Sequence, residues 1–410
     1  MSDFDVIIVG GGPAGAGAAI HLARAGASVL LAEQRKFPRA KLCGEFISPE
    51  CLGHFARLGV LEEMECAGGA SVSETVFYTQ SGRSVAVPSA WFGGGQGGAL
   101  GLSRAEMDSR LLARARAVGV EVLEEASFNG LLIDGARRVR GVRLKPAVGG
   151  ERVISSLVTI DATGRQRVVA RRFERETGGG VGGGIGAGRA RPTLVAFKAH
   201  LKGAQGDARS CEIYFFRGGY GGLSPVEGGL SNLCFIARAR DVRAGGSDAG
   251  RVMREVLMRN TRAAETLKGA RAVTEWLGVA LESFGRHEPV PAQGLMAIGD
   301  AAAFIDPFTG SGMLMALESG ELAAAVLSDW LPRARTGGGS GLDFGTLASV
   351  YRARYGERFD ARLRLCGLLR RAAFAPPSLT DIAARALSSS ARLRRVVARA
   401  TRGHAHSQSA

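Results

Sequence analysis

The chain has 410 residues, 46% of them hydrophobic and 22% charged, which suits two or three globular domains and excludes a disordered or low-complexity protein. Its six cysteines, Cys43, Cys51, Cys66, Cys211, Cys234 and Cys366, form no C-x-x-C pair, so no metal site and no secreted disulfide framework is expected. The net charge of +15 is uneven: Tyr351 to Arg402 holds thirteen arginines against Glu357, Asp360 and Asp381. No basic leader precedes the first apolar run, and the apolar stretch from Met313 to Leu327 is broken by Glu318 and Glu321. Neither a signal peptide nor a membrane-spanning helix is therefore expected, and a cytoplasmic location follows.

In chain order, Asp5 to Val9 reads as a buried strand, Gly10 to Gly15 as a glycine turn, Ala16 to Ala25 as a helix and Ser28 to Glu33 as a second strand. Gly26 suits the left-handed position after the helix. Glu74 to Tyr78 and Ser84 to Val87 read as short strands of another sheet, before a helix from Ser103 to Val118 with a capping box from Ser103 and Glu106. A strand at Val120 to Leu123 and a meander of Leu131 to Ile133, Val139 to Leu144 and Val153 to Ile160 return the chain to the first sheet. The glycine run from Gly178 to Gly188 reads as a flexible loop, and Thr193 to about Ala280 as a strand-rich block. A strand from Leu295 to Ile298, a helix from Gly312 to Leu331, a second glycine run from Gly337 to Gly341 and an arginine-rich helical tail complete the chain.

Gly10-x-Gly12-x-x-Gly15 follows a buried strand and opens a helix, the context that gives this short pattern meaning. Gly10 permits the tight turn, Gly12 lets backbone amides approach a pyrophosphate, and Gly15 lets helix and strand pack closely. Pro13 costs no hydrogen bond in the first helical turn, where it stands beside Ala14. Glu33, followed by Gln34, ends the second strand at the distance expected of an acid that accepts from ribose hydroxyls. The pattern points to a bound dinucleotide.

Two further segments name the dinucleotide. Gly299-Asp300 before Ala301-Ala302-Ala303 resembles the second FAD fingerprint of the flavoprotein hydroxylase (group A monooxygenase) superfamily, and Asp161-Ala162-Thr163-Gly164-Arg165 is similar to its internal D-x-x-G-R signature. Phe37 to Pro49 and Gly299 to Gly312 look like the geranylgeranyl reductase branch, which also resembles flavin-dependent halogenases. The resemblance covers roughly residues 1–330. It implies an α/β fold: a Rossmann-like FAD-binding domain of glutathione-reductase type (1–72, 99–177 and 281–331), an inserted antiparallel β-sheet substrate domain (73–98 and 189–280) and a C-terminal basic helical region (342–410). It also implies cofactor contacts from Arg39, Arg104, Asp161, Gly164 and Asp300, with Cys43, Gly44, Glu45, Gly310, Gly312 and Met313 flanking the isoalloxazine.

The branch motif Y-x-W-x-F-P is here Tyr220-Gly221-Gly222-Leu223-Ser224-Pro225, which places Gly222 and Ser224 where the aromatics stand and weakens the isoprenoid reading. The tryptophans Trp91, Trp276 and Trp330 do not form the halogenase W-x-W-x-I-P motif. Cys43, Tyr214 and Tyr220 are the catalytic candidates, each with a structural alternative, and His200 reads as a structural histidine. With one dinucleotide fingerprint, NAD(P)H is expected to bind transiently as reductant.

The expected activity is monooxygenation of a hydrophobic or aromatic small molecule, free or carrier-bound, in secondary metabolism, with saturation of a carbon–carbon double bond as the alternative. A third reading is a non-catalytic scaffold with a polyanion-binding tail. Against it, the tail shows apolar spacing at Leu363, Leu365, Leu368 and Leu369 rather than a nucleic-acid motif. Leucines and arginines around Arg362 to Arg371 predict an amphipathic helix, with peripheral contact at the inner face of a membrane as one role.

Overall fold

The computed structural model describes residues 2–93, 98–178, 192–281, 284–335 and 343–400. Both glycine runs of the sequence, save Gly178, fall outside these residues. The α/β class, the dinucleotide-binding fold, the second sheet and the C-terminal helices are as expected.

The strand Phe4–Val9 lies inside a parallel sheet, flanked by Val29–Ala32 and then Glu121–Leu123 on one side and by Arg152–Asp161 and then Leu295–Ala297 on the other. It is apolar on both faces because both are covered, the rule for parallel strands. The long strand Arg152–Asp161 serves two sheets in turn. Its first half pairs antiparallel with Val139–Pro146, which pairs with Ala126–Ile133, and its second half joins the parallel set. The helix Pro13–Arg24 packs on this sheet beside Gly312–Arg335 and Arg104–Ala117. Ser103 caps the latter by accepting from the Glu106 amide at 3.2 Å. The reciprocal half of the expected capping box is absent: the Ser103 amide donates to Glu227 instead, and Glu106 pairs with Arg110.

Among the described residues the second sheet has eight strands. Leu194–Lys202, Ser231–Arg238, Gly219–Pro225 and Ser210–Phe216 run antiparallel, and Glu74–Tyr78 joins Ser210–Phe216 in parallel, carrying Ser84–Pro88 at the edge. Arg271–Ala272 and Leu277–Leu281 add to the far edge along Leu194–Lys202. Side chains alternate between faces. One face, with Tyr214, Leu223, Phe235 and Phe197, is covered by the helices Ala239–Ala244, Ala249–Glu255 and Thr261–Leu267. The strand-rich reading of 193–280 did not include these helices. Each is under two turns and holds its shape through Val242, Val252 and Leu267 packed on the sheet, a tertiary stabilisation that short helices need.

The tail is part of the body. Phe344–Ala373 packs along Gly312–Arg335, burying Tyr351, Tyr355, Phe359 and Cys366. Arg362, read from sequence as one of the charges on an amphipathic surface, is instead 4% exposed and pairs with Glu318 at 2.7 Å. The helices Pro377–Ser388 and Ala391–Ala400 then cross the edge strand Ser84–Pro88. Among the described residues no helix is long and apolar enough to cross a membrane.

Candidate active site

The first turn has geometry that only glycine allows at two of its positions. Gly10 has φ +113°, and a Cβ there would lie 2.3 Å from the Ala162 carbonyl oxygen. At Gly15 a Cβ would lie 2.0 Å from the Gly10 carbonyl oxygen. Gly12 is different: the nearest atom to a Cβ is an Arg104 guanidinium nitrogen at 3.8 Å, so open space faces a cation. Gly12 caps the helix without a side-chain hydrogen bond, leaving first-turn amides to meet an anion. Glu33 accepts from the Gly11 amide at 3.0 Å and the Arg35 amide at 3.0 Å, and Arg39 approaches it at 3.4 Å.

From this turn a cavity of about 760 Å³ runs under the second sheet to the C-terminal helices. Its charged residues Glu33, Arg39, Lys41, Glu45, Arg104, Arg165 and Asp300 belong to the parallel-sheet half, and Arg394 of the tail lines the other end. Asp300 faces the cavity, and no described residue hydrogen-bonds to its carboxylate. Burial pushes its pKa up to about 6, against the pull of Arg104, Lys41 and Arg165. The far end is largely apolar, formed by Phe77, Val85, Val87, Ile213 and Phe215 of the sheet and Leu369, Ala384, Leu387 and Val397 of the tail, with Thr380 and Arg394 as its polar members.

A charged strut joins the two halves. Glu45, fully buried with φ +54°, accepts from Lys198 at 2.5 Å, from the Arg104 amide at 2.9 Å and pairs with His200 at 2.6 Å. Burial opposes its charge, yet the His200 hydrogen bond and the Lys198 charge hold the carboxyl below its ordinary value of 4.5. The Glu45 amide also donates to the Cys43 sulfur at 3.4 Å, and Asn232 donates to the Cys43 carbonyl at 3.0 Å. The strut thus sets the loop that carries Cys43 and Gly44 against the cavity.

Residues 3–332 match the FAD binding domain family along their whole length. The chain belongs to this family. Relatives within reach of sequence comparison include the menaquinone reductase of Mycolicibacterium smegmatis, 28% identical over 79% of this chain and 76% of the relative. The digeranylgeranylglycerophospholipid reductase of Methanosarcina mazei is 29% identical over 78% of this chain and 74% of the relative. Among solved structures, the fold is shared with a geranylgeranyl bacteriochlorophyll reductase-like protein from Thermoplasma acidophilum. That match has a TM-score of 0.77 at 20% identity and covers 96% of this chain and 95% of the other. It is shared likewise with the flavin-dependent brominase Bmp2, with a TM-score of 0.74 at 22% identity over 94% and 93%. The protein is an FAD-dependent oxidoreductase.

Within this FAD-binding domain the cavity collects Gly10, Gly12, Pro13, Ala14, Glu33, Gln34, Arg39, Cys43, Gly44, Arg104, Gly164, Asp300, Gly310, Gly312 and Met313. Three singled-out residues are not on its wall. Gly15 lies behind the turn, where its role is the close approach to Gly10. Asp161 is buried, and its carboxylate accepts from the Thr163 amide and hydroxyl and from the Ala170 amide, so it ties its own loop together instead of meeting a ligand. Tyr214 sits on the opposite sheet face and donates to Glu212 at 2.9 Å, which removes it from the catalytic candidates.

Tyr220 does reach the cavity, but its hydroxyl is committed to Asp306, which also pairs with Arg370 of the tail. Burial and the Asp306 charge hold that phenol far above its usual range, so it does not ionise in use. Sequence reasoning missed Ser127 and Phe128, which follow the Ala126 amide bonded to the Glu33 carbonyl, and the whole tail wall. No short motif marks either; only the three-dimensional meander and the packed tail bring them in.

Proposed function

We propose that the protein is an FAD-dependent reductase that saturates a carbon–carbon double bond in a long, apolar, isoprenoid-type molecule. The observation that carries this is the cavity: charged at the glycine turn and lined beyond it by Phe77, Val87, Ile213 and Phe215 under a roof of tail residues. An uncharged chain gains burial there without leaving a polar group unpaired. The printed names of the relatives, reductases of a menaquinone and of a digeranylgeranyl lipid, support the same reading over the oxygen-transfer reading favoured by the motif departures.

The residues present suit FAD. In this reading Gly10, Gly12, Pro13, Ala14 and Arg104 receive the pyrophosphate, Gly15 keeps the turn tight, and Glu33 with Gln34 and Arg39 holds a ribose. Asp300 takes ribityl hydroxyls, while Gly44, Gly164, Gly310, Gly312 and Met313 border the remaining length. When bound and reduced, the flavin would supply the hydride for one alkene carbon, and the chain would supply the proton for the other. Cys43, held at the wall by the Glu45 amide and the Asn232 side chain, is the proton donor in this assignment. The single dinucleotide fold supports NAD(P)H as a reductant that binds and leaves.

A second reading has one observation in its favour. Gly222 lies in mid-strand and lines the cavity, and a Cβ there would come 3.1 Å from the Ile213 Cδ1. The space beside Gly222 is taken by the end of the Ile213 side chain, so width for a ring, as monooxygenation of an aromatic molecule requires, opens only where that flexible side chain shifts. Ser224 adds no such space, for it is 1% exposed and off the cavity wall. Gly222→Phe tests the pair: in the reductase reading it lowers the longest prenyl chain accepted while shorter chains turn over. Unchanged chain-length dependence would remove the cavity assignment.

Asp300 gives a pH dependence. Its carboxylate accepts hydroxyl hydrogens only when ionised, and its folded pKa is about 6. FAD affinity is therefore expected to fall as pH drops below about 6, with the midpoint pulled lower by the bound hydroxyls. Asp300→Asn is expected to bind FAD more weakly and without that dependence; flavin release measured from pH 5 to 8 checks both, and identical profiles would refute the assignment.

A further inference from the structure

We propose that Pro377–Ser388 and Ala391–Ala400 form a docking surface for an anionic lipid bilayer, placed so that a lipid-soluble substrate enters the cavity behind them. The proposal rests on the apolar-substrate reading above and adds where such a substrate comes from.

The two helices are apolar on two sides, which a water-exposed lid does not require. Their inner sides carry Ala384, Leu387, Val397 and Ala398 into the cavity wall. Their outer sides carry Leu379 at 54% exposure, Ile382 at 62%, Leu393 at 44% and Val396 at 58%. The spacing within each pair is three residues, which aligns the side chains in a stripe along each helix. With Val350 and Leu368 of the preceding helix, the tail holds six of the nine large apolar side chains exposed among the described residues. Isolated exposed apolar residues are ordinary, but a concentration on one element marks an interaction surface.

Charge selects the partner. Between Pro377 and Ala400 the chain has Arg385, Arg392, Arg394, Arg395 and Arg399 against the single acid Asp381. That acid is engaged, accepting from the Ser81 hydroxyl at 2.8 Å. Arginines beside aligned leucine, isoleucine and valine are the pattern of a helix that lies in a bilayer interface, apolar side chains among the acyl chains and guanidinium groups at the phosphates. Two of the five arginines anchor the helices in this orientation and leave Arg385, Arg392 and Arg399 for the phosphates: Arg394 donates to the Ala86 carbonyl at 2.8 Å, and the Arg395 guanidinium lies 5.1 Å from the Trp91 ring centroid. The outward stripes are thus held away from the sheet.

The test is sedimentation of the full-length protein with sucrose-loaded vesicles of phosphatidylcholine alone or mixed with phosphatidylglycerol, at low and high salt. The expected result is binding to the anionic vesicles, weakened by salt, and at least roughly tenfold weaker for Leu379→Glu/Ile382→Glu/Leu393→Glu. These exposed positions lie off the cavity wall, so flavin content and turnover of a detergent-solubilised substrate should match the parent and report an intact fold. Equal binding of parent and variant, or no binding to anionic vesicles, overturns the proposal. Capture of an acidic carrier protein in place of vesicles does so as well. Vesicle binding without prenyl reduction would leave the docking surface standing and the reductase reading refuted; reduction in detergent without vesicle binding would do the reverse.

Discussion

Gly10→Ala is expected to give a protein that folds poorly and retains little or no FAD. A methyl group at this position would sit 2.3 Å from the Ala162 carbonyl oxygen and 2.6 Å from its carbon, so two adjacent strand ends must separate. The backbone also holds φ +113°, where an L side chain is strained by about 1–3 kcal/mol. The turn that must move is the one at the foot of the pyrophosphate assignment, and a few kcal/mol there corresponds to a hundredfold or more in affinity, at about 1.4 kcal/mol per decade. Gly26→Ala is the control. It too has positive φ, +83°, but nothing lies within 4 Å of its Cβ, so it should lose about 1 kcal/mol of stability and keep its flavin. Flavin-to-protein absorbance ratios of the two variants decide the matter, and equal retention would contradict the turn's assignment.

Lys198→Met is expected to destabilise the protein by about 3–5 kcal/mol, because it strands the fully buried Glu45 carboxylate beside only His200 and the Arg104 amide. Removing both charges with Glu45→Gln/Lys198→Met should recover part of this loss, since two neutral side chains do not carry the desolvation penalty of one lone ion. The pH dependence has a defined sign. The Glu45 carboxyl is held below its ordinary 4.5 in the folded protein, so its contribution is present above that value and fades as pH falls through the lower folded value. Urea unfolding at pH 7 and in acid checks this for parent and variants. If Lys198→Met unfolds at the parent's urea midpoint, the strut has no structural weight.

The sequence made the dinucleotide half legible because its chemistry is local. The glycines, the first helix and Glu33 stand within thirty residues of one another, and backbone sterics leave little choice of residue at Gly10. Asp161 shows the limit of motif reading: the D-x-x-G-R segment does border the site through Gly164, but the acid itself turns inward to cap Ala170. The strut was legible only in pieces. Glu45 and His200 are 155 positions apart, and the sequence around His200 carries no sign of its partner. The tail was misread at Arg362 because an alternating Leu and Arg pattern does not reveal a buried acid such as Glu318 on another helix. Tyr214 and Tyr220 look equivalent in sequence, six residues apart, yet they point to opposite faces, Tyr214 from Ser210–Phe216 and Tyr220 from Gly219–Pro225.

The most direct measurement of the central claim is turnover without oxygen. The holoenzyme, supplied with NAD(P)H and a menaquinone or another polyprenyl lipid in detergent, should form a product two hydrogens heavier. The yield should be the same under anaerobic conditions and under labelled dioxygen, with no label incorporated. A product formed only in the presence of dioxygen and carrying its label would contradict the account and establish oxygen transfer in place of reduction.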